Sequence, residues 1–218
     1  MSNSLRVEID KAHFDELKTK ESFWQLVALS RAVNALRFVH TALLGHNVDD
    51  AFPWAKRTRF NSFFFNCALL YEALLLVERL SKHYRDVPEF AELREILKDR
   101  TATELRDSSL ASVRNRLTFH FDESEIGAQL AQTTDMVRTF ASGQGNTNAD
   151  VYYELADSCT LGAFLGSSLD EPGAVNKLRE RGTEVTDLAL RFMDSAEKFI
   201  VAVLKTDGWE GIGGGRTR

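Results

Sequence analysis

The chain has 218 residues, a formal net charge of -5, 44% apolar residues and two cysteines. That length suits one sizeable domain, and the acidic balance argues against sequence-blind coating of nucleic acid, which needs a strongly basic surface; a small basic cleft remains compatible with it. One pair of cysteines, Cys67 and Cys159, makes no disulfide framework in a chain this long, so a reduced, cytoplasmic protein is expected.

Phe is common, at 15 residues, against 3 Pro, and with abundant Leu and Ala this points to helices. Met1 to Asp10 has no apolar signal core. A short helix is predicted near Asp10 to Thr19, then a long one from Ser22, as its cap, to Gly45. From Pro53 to about Tyr84, Phe60, Phe63, Phe64, Cys67, Leu70, Tyr71, Leu74 and Leu75 follow helical spacing. Asn66, Glu72 and Glu78 break that run too soon for a membrane span, and Cys67 within it reads as a buried thiol. Pro88 begins another piece, ending near Asp99.

Thr103 to about Phe119 forms the next helix, with Leu105, Leu110, Val113 and Leu117 near one side. Asp122, with Glu125 three residues on, makes a variant capping box for a helix whose inner stripe is Ile126, Leu130, Thr133, Val137 and Phe140. Ser142 to Asp150 is a loop, and the aromatic and β-branched content after Val151 allows a short hairpin near 151–166 despite poor alternation. Gly173 to Lys205 is the cleanest helix, with Val185, Leu188, Ala189, Phe192, Met193, Ala196, Phe199, Ile200, Val203 and Leu204 on its buried face. The expectation is an all-α, antiparallel up-and-down bundle of four to five main helices over 1–207, followed by a disordered Gly-rich tail, 208–218.

Chemistry concentrates at Arg114-Asn115-Arg116-Leu117-Thr118-Phe119-His120. Arg grips phosphate with two parallel hydrogen bonds, and His exchanges a proton near neutral pH. On a straight helix, six residues turn the chain through about 600°, which keeps Arg114 and His120 apart around the axis. They meet only if the helix bends between them, as the break near Phe121 and Asp122 allows, or across a dimer. Were the helix continuous, Arg116 and His120 would share a face, and like-charge repulsion would hold the histidine pKa down.

Arg114-Asn115-x4-His120, at the end of one bundle helix and leading into the next, resembles the HEPN superfamily, whose hallmark is an arginine, four to six variable residues and a histidine. HEPN proteins are typically dimeric bundles with two motifs facing one cleft, and many are metal-independent endoribonucleases in toxin–antitoxin, defence or RNA-processing systems. The resemblance implies that Arg114 stabilises the scissile phosphate, His120 acts as general acid or base, and Asn115 orients the phosphate or the histidine. Arg116 would contact the RNA. It further implies RNA and an antitoxin or other protein as partners, a homodimer, and no cofactor, metal or membrane. Where one branch carries a tyrosine two residues after the histidine, this chain has Asp122, an acid that would repel RNA unless turned into the helix cap. Other superfamily members are non-catalytic modules that bind a protein or nucleotide.

Two further clusters are basic or polar. Lys56-Arg57-x-Arg59 either guides an RNA backbone or is a solvated helix face. Arg31, Asn34 and Arg37 recur at three-residue spacing and line either a cleft against the motif helix or an exposed face. Asp10-Lys-Ala-His13 has a metal-ligand spacing, yet nothing matching it recurs near His40, His46 or His83, so no bundle metal site is expected.

Overall fold

The run from Pro53 to Tyr84 dictates the architecture. In a computed structural model of the protein, which describes residue 9 and residues 11–44, 53–118, 122–132, 140–143 and 151–206, this run is one helix, α3. The others are α1 (Lys11–Leu17), α2 (Glu21–Leu44), α4 (Phe90–Lys98), α6 (Glu123–Ala131), α7 (Glu154–Leu165) and α8 (Ala174–Thr206). The helix over residues 100–118, α5, is α-helical at Arg100–Leu105 and turns π-helical at Arg106–Leu110 and again at Val113–Thr118. The fold is a helical bundle.

α3 is the element against which the rest assembles: α2, α4, α5 and α8 all pack on it. Tyr84 donates its hydroxyl to the Ser22 carbonyl at 3.0 Å, while Leu43 and Phe60 line one cavity, so α2 runs antiparallel to α3. Ion pairs Glu78–Arg106 and Glu72–Arg114, each 2.6 Å, set α5 antiparallel to α3 as well. α8 instead runs in the direction of α3: Phe63 lies beside Gly182, and the Tyr84 ring meets Phe199 edge-on at 5.1 Å.

Leu29, Leu36, Leu70, Leu80, Leu93, Leu105, Leu110, Phe192 and Phe199 form the wholly buried centre. Each such side chain contributes about 1.5–3 kcal/mol when removed from water. Among the described residues α3 alone is long and apolar enough to cross a membrane, but 61% of that apolar window is buried inside the bundle, the property of a core helix. Cys67 is fully buried there, and burial pushes its thiol pKa far up, so it behaves as a small apolar side chain.

Most expected helices appear near their predicted limits, with local corrections. Ser22 lies inside α2 rather than capping it; the Lys20 carbonyl receives the first N–H groups, from Phe23 and Trp24. Residues 151–166 are not a hairpin. Val151–Tyr152 pairs antiparallel with Ser142–Gly143, and Glu154 then opens α7, with Glu154 and Asp157 in the first turn, where the helix dipole favours acids. The aromatic and β-branched signal is concentrated at 151–153; beyond it, consecutive buried residues at Leu161, Gly162, Ala163 and Phe164 require a helix covered on several sides. In α6, Leu130 is exposed and Gln129 buried, and Phe140 is 67% exposed, so the expected inner stripe is wrong there. Phe38 and Phe65 are likewise exposed, so not every phenylalanine is core. Gly45, His46, Thr133, Val137 and the tail over 208–218 lie outside the described residues.

Asp99 joins α4 to α5. Its carboxylate accepts from the Thr101 and Ala102 backbone N–H groups at 2.8 and 3.2 Å and from Arg191 of α8 at 2.9 Å. Arg191 and then the Ala102 N–H hold its pKa below the usual carboxylate range. Asp99→Ala should therefore cost about 1 kcal/mol in denaturant unfolding at neutral pH. A depressed folded-state pKa gives stability that is present above the ordinary carboxylate pKa and lost as pH falls through the folded value, so the gap between variant and wild type should close in acid.

Two glycines give opposite expectations. A Cβ on Gly162 would meet Gln129 Oε1 at 2.4 Å and the Ser167 carbonyl at 3.3 Å, whereas one on Gly182 would meet the Phe63 ring at an ordinary 3.9 Å. By thermal unfolding, Gly162→Ala should lower stability by roughly 1–2 kcal/mol, and Gly182→Ala should raise it by roughly 0.5–1 kcal/mol.

Candidate functional site

The motif occupies the end of α5. Val113 and Leu117 are buried against the core, which fixes the rotation of this last stretch and turns Arg114, Asn115 and Arg116 outward. Arg114 is half-buried, and Asn115 and Arg116 are exposed. Val113–Thr118 is π-helical rather than the regular α-helix on which the angular separation was reckoned, and such wide turns often sit at functional positions. The Asp122 N–H donates to the Arg116 carbonyl at 2.7 Å, a bond across six residues. Phe119, His120 and Phe121 lie outside the described residues, so the distance from Arg114 to His120 is not part of this geometry.

Each arginine is held by a carboxylate from a different element. Arg114 Nε lies 2.6 Å from Glu72 Oε1 of α3, off the hydrogen-bonding direction of the N–H, and its Nη1 donates to Asn115 Oδ1 at 3.1 Å. Arg116 Nη1 donates to Glu125 Oε2 of α6 at 2.5 Å. A guanidinium carries five N–H donors in a planar fork, so one carboxylate leaves donors on both side chains for a phosphate.

Asp122 caps α6 as the sequence predicts. Its Oδ1 accepts from the Ser124 hydroxyl at 2.6 Å and from the Ser124 and Glu125 N–H groups at 2.9 and 3.4 Å. The Ser124 hydroxyl, then the backbone bonds, hold its pKa below the usual carboxylate range. The reciprocal half of the capping box is absent: Glu125 turns to Arg116, and the Asp122 N–H is used by the Arg116 carbonyl. The carboxylate is thus directed at the helix terminus rather than left loose beside the arginines.

The basic cluster is not a plain solvated face. Arg57 and Arg59 are half-buried, and Arg57 donates to the Val151 carbonyl, joining α3 to the short strand pair. Beside Arg59, the Tyr152 hydroxyl donates to Asp157 Oδ2 at 2.7 Å, and the Ser142 hydroxyl donates to Glu154 Oε1 at 2.5 Å. Burial pushes the pKa of both Tyr152 and Asp157 up. Arg31 and Asn34 are exposed, and Arg37 pairs with Glu197 of α8. Among the described residues, no three His, Cys, Asp or Glu side chains gather where they could hold a metal ion.

Glu72 and Glu125 were missed as site residues. Glu72 had a legible signal, a charge inside an otherwise apolar helix, which must find a partner when that helix is buried. Glu125 was read only as a cap residue. Comparisons with protein-family models, curated proteins and solved structures gave no match.

Glu72→Gln tests how Arg114 is held. Both partners are partly exposed, so stability should change by less than about 1 kcal/mol, while the Arg114 side-chain NMR resonance should shift. A larger loss would make the pair a fold determinant.

Proposed function

We propose that the protein is a HEPN-like, metal-independent endoribonuclease of the toxin or defence type. In this reading α2, α3, α5 and α8 are the long members of an antiparallel up-and-down bundle of four to five main helices, which pairs in a cytoplasmic homodimer. The observation that carries the proposal is the position of Arg114 and Asn115 on the π-helical stretch Val113–Thr118 of α5, beside the hydrogen bond from the Asp122 N–H to the Arg116 carbonyl.

The reaction is attack of an RNA 2′-hydroxyl on the adjacent phosphorus. The hydroxyl proton passes to a base, the bond from phosphorus to the 5′-oxygen breaks, and that oxygen takes a proton. The products are a 2′,3′-cyclic phosphate and a 5′-hydroxyl. His120 is the general acid or base, Arg114 stabilises the charge building on phosphorus, and Asn115, already bonded to Arg114, fixes the guanidinium. Arg116 binds the RNA backbone, which requires exchange of Glu125 for phosphate.

That exchange is also what favours a second reading. Both motif arginines are engaged by carboxylates, with Asp122 close by, an arrangement suited to a non-catalytic HEPN-like module that binds a partner protein or nucleotide.

Purified protein incubated with mixed RNA in excess EDTA distinguishes them. The nuclease reading expects cleavage that survives chelation and products ending in cyclic phosphate. Arg114→Ala should lose cleavage, and His120→Ala should lower the rate by about 10²- to 10⁴-fold. Equal cleavage by wild type and His120→Ala would identify a contaminant and end the nuclease reading; no cleavage at all would favour the binding module.

A further inference from the structure

We propose that the cleft between α3, α7 and α8, distinct from the Arg114 motif, binds a small neutral aromatic molecule that carries a hydrogen-bond donor, of the chemical class of a phenol or an indole. The cleft holds about 340 Å³ and is walled by Phe60, Phe63, Leu161 and Leu178, a size and lining typical of small-molecule sites. Phenylalanine rings favour an aromatic guest, which they meet edge to face or offset. The cleft shares no lining residue with the motif, so the proposal stands apart from the nuclease reading.

One missing side chain makes the space. Leu178, Gly182 and Thr186 follow one another a turn apart along the α8 wall. A Cβ on Gly182 would lie 3.9 Å from the Phe63 ring, an ordinary contact, so any larger side chain at this position grows into the cavity.

Around Asp187 the polar lining accepts hydrogen bonds and has no proton left to give. The Thr183 hydroxyl donates to the Arg179 carbonyl at 2.9 Å, and the Thr186 hydroxyl donates to the Gly182 carbonyl at 2.8 Å. A hydroxyl has one proton and two lone pairs, so both threonines retain acceptor capacity only. Asp187 follows Thr186 directly and is exposed; its carboxylate has no hydrogen bond or ion pair to another described residue. Three acceptors thus lie within about one turn of α8, beside the aromatic wall. Two arginines also border the cleft. Arg59 is already engaged within the protein. Arg179 is exposed and stands two turns, about 12 Å, from Asp187 along α8. The charges of the α8 wall therefore oppose each other in sign, which favours a neutral guest. The unspent acceptors favour one that brings its own O–H or N–H.

The test is displacement of fluorescent phenylnaphthylamine from the full chain by three competitors: 1-naphthol, 1-methoxynaphthalene, which lacks the O–H, and anionic 1-naphthoate. One saturable probe site per chain is expected. The naphthol should displace the probe at concentrations about three- to tenfold below those of the methyl ether, the scale of one net hydrogen bond, and below those of naphthoate. Asp187→Ala should narrow the preference for naphthol, which a merely steric effect of the methyl group would not do. Gly182→Leu should abolish probe binding with the circular dichroism spectrum unchanged, and His120→Ala should leave binding as it is. Should Gly182→Leu fail to fold, Thr183→Phe, at an exposed lining position, is expected to block the site in its place. Unsaturable binding, naphthoate binding as tightly as naphthol, a naphthol preference that is absent or survives Asp187→Ala, or full binding by the folded, filled variant would overturn the proposal.

Discussion

A helix of 32 residues with apolar side chains around most of its circumference is stable in water only if other helices cover it. α3 is such a helix, and its burial organises the molecule. α2 folds back along it, α8 lies beside it, α5 crosses its remaining side, and α4 packs at its end. The few polar groups on α3 then decide how its neighbours dock. Glu72 and Glu78 take Arg114 and Arg106 of α5, so the charges that interrupt the apolar run find partners within the antiparallel register that the buried contacts set. Asn66, fully buried with neither amide atom bonded among the described residues, is a cost that the surrounding hydrophobic burial must outweigh.

The motif region shows how a core sets up a surface. Val113 and Leu117 are locked inward, which leaves the intervening Arg114, Asn115 and Arg116 no orientation but outward. The bond from the Asp122 N–H to the Arg116 carbonyl then ties the π-helical stretch to the start of α6. Arg114 is tied to α3, distant in sequence, and Arg116 to α6, the next helix, so two different elements position two cations that are almost adjacent in the chain. Rigid positioning of this kind favours specific phosphate recognition, and it also requires any phosphate to compete with carboxylates already in place.

The cleft beside α7 has a different origin. α8 presents Gly182 where α3 presents Phe63, and the absence of one side chain leaves a cavity in an otherwise filled contact. Gly162 is the reverse case: its missing side chain is occupied by Gln129 and lets α6 approach α7 closely. One residue type thus opens space at one interface and closes it at the other, according to what the neighbouring helix places there.

Helical periodicity determined the elements, because burying an amphipathic face requires apolar residues at three- and four-residue spacing; α3 and α8 were legible almost residue for residue. The Asp122 cap was legible too, since a side-chain acceptor just before a helix meets N–H groups that always lack partners. The sequence likewise singled out Arg114, Asn115, Arg116 and His120, by residue type and spacing. It misjudged 151–166 and the inner face of α6, where short segments carry too few residues to fix a period and the packing partner decides. Only the tertiary structure could join Glu72 to Arg114, Glu125 to Arg116, and Arg59 to a cleft with Arg179. Those pairings depend on which helices become neighbours and at what register, a property of the assembled core that no local pattern encodes.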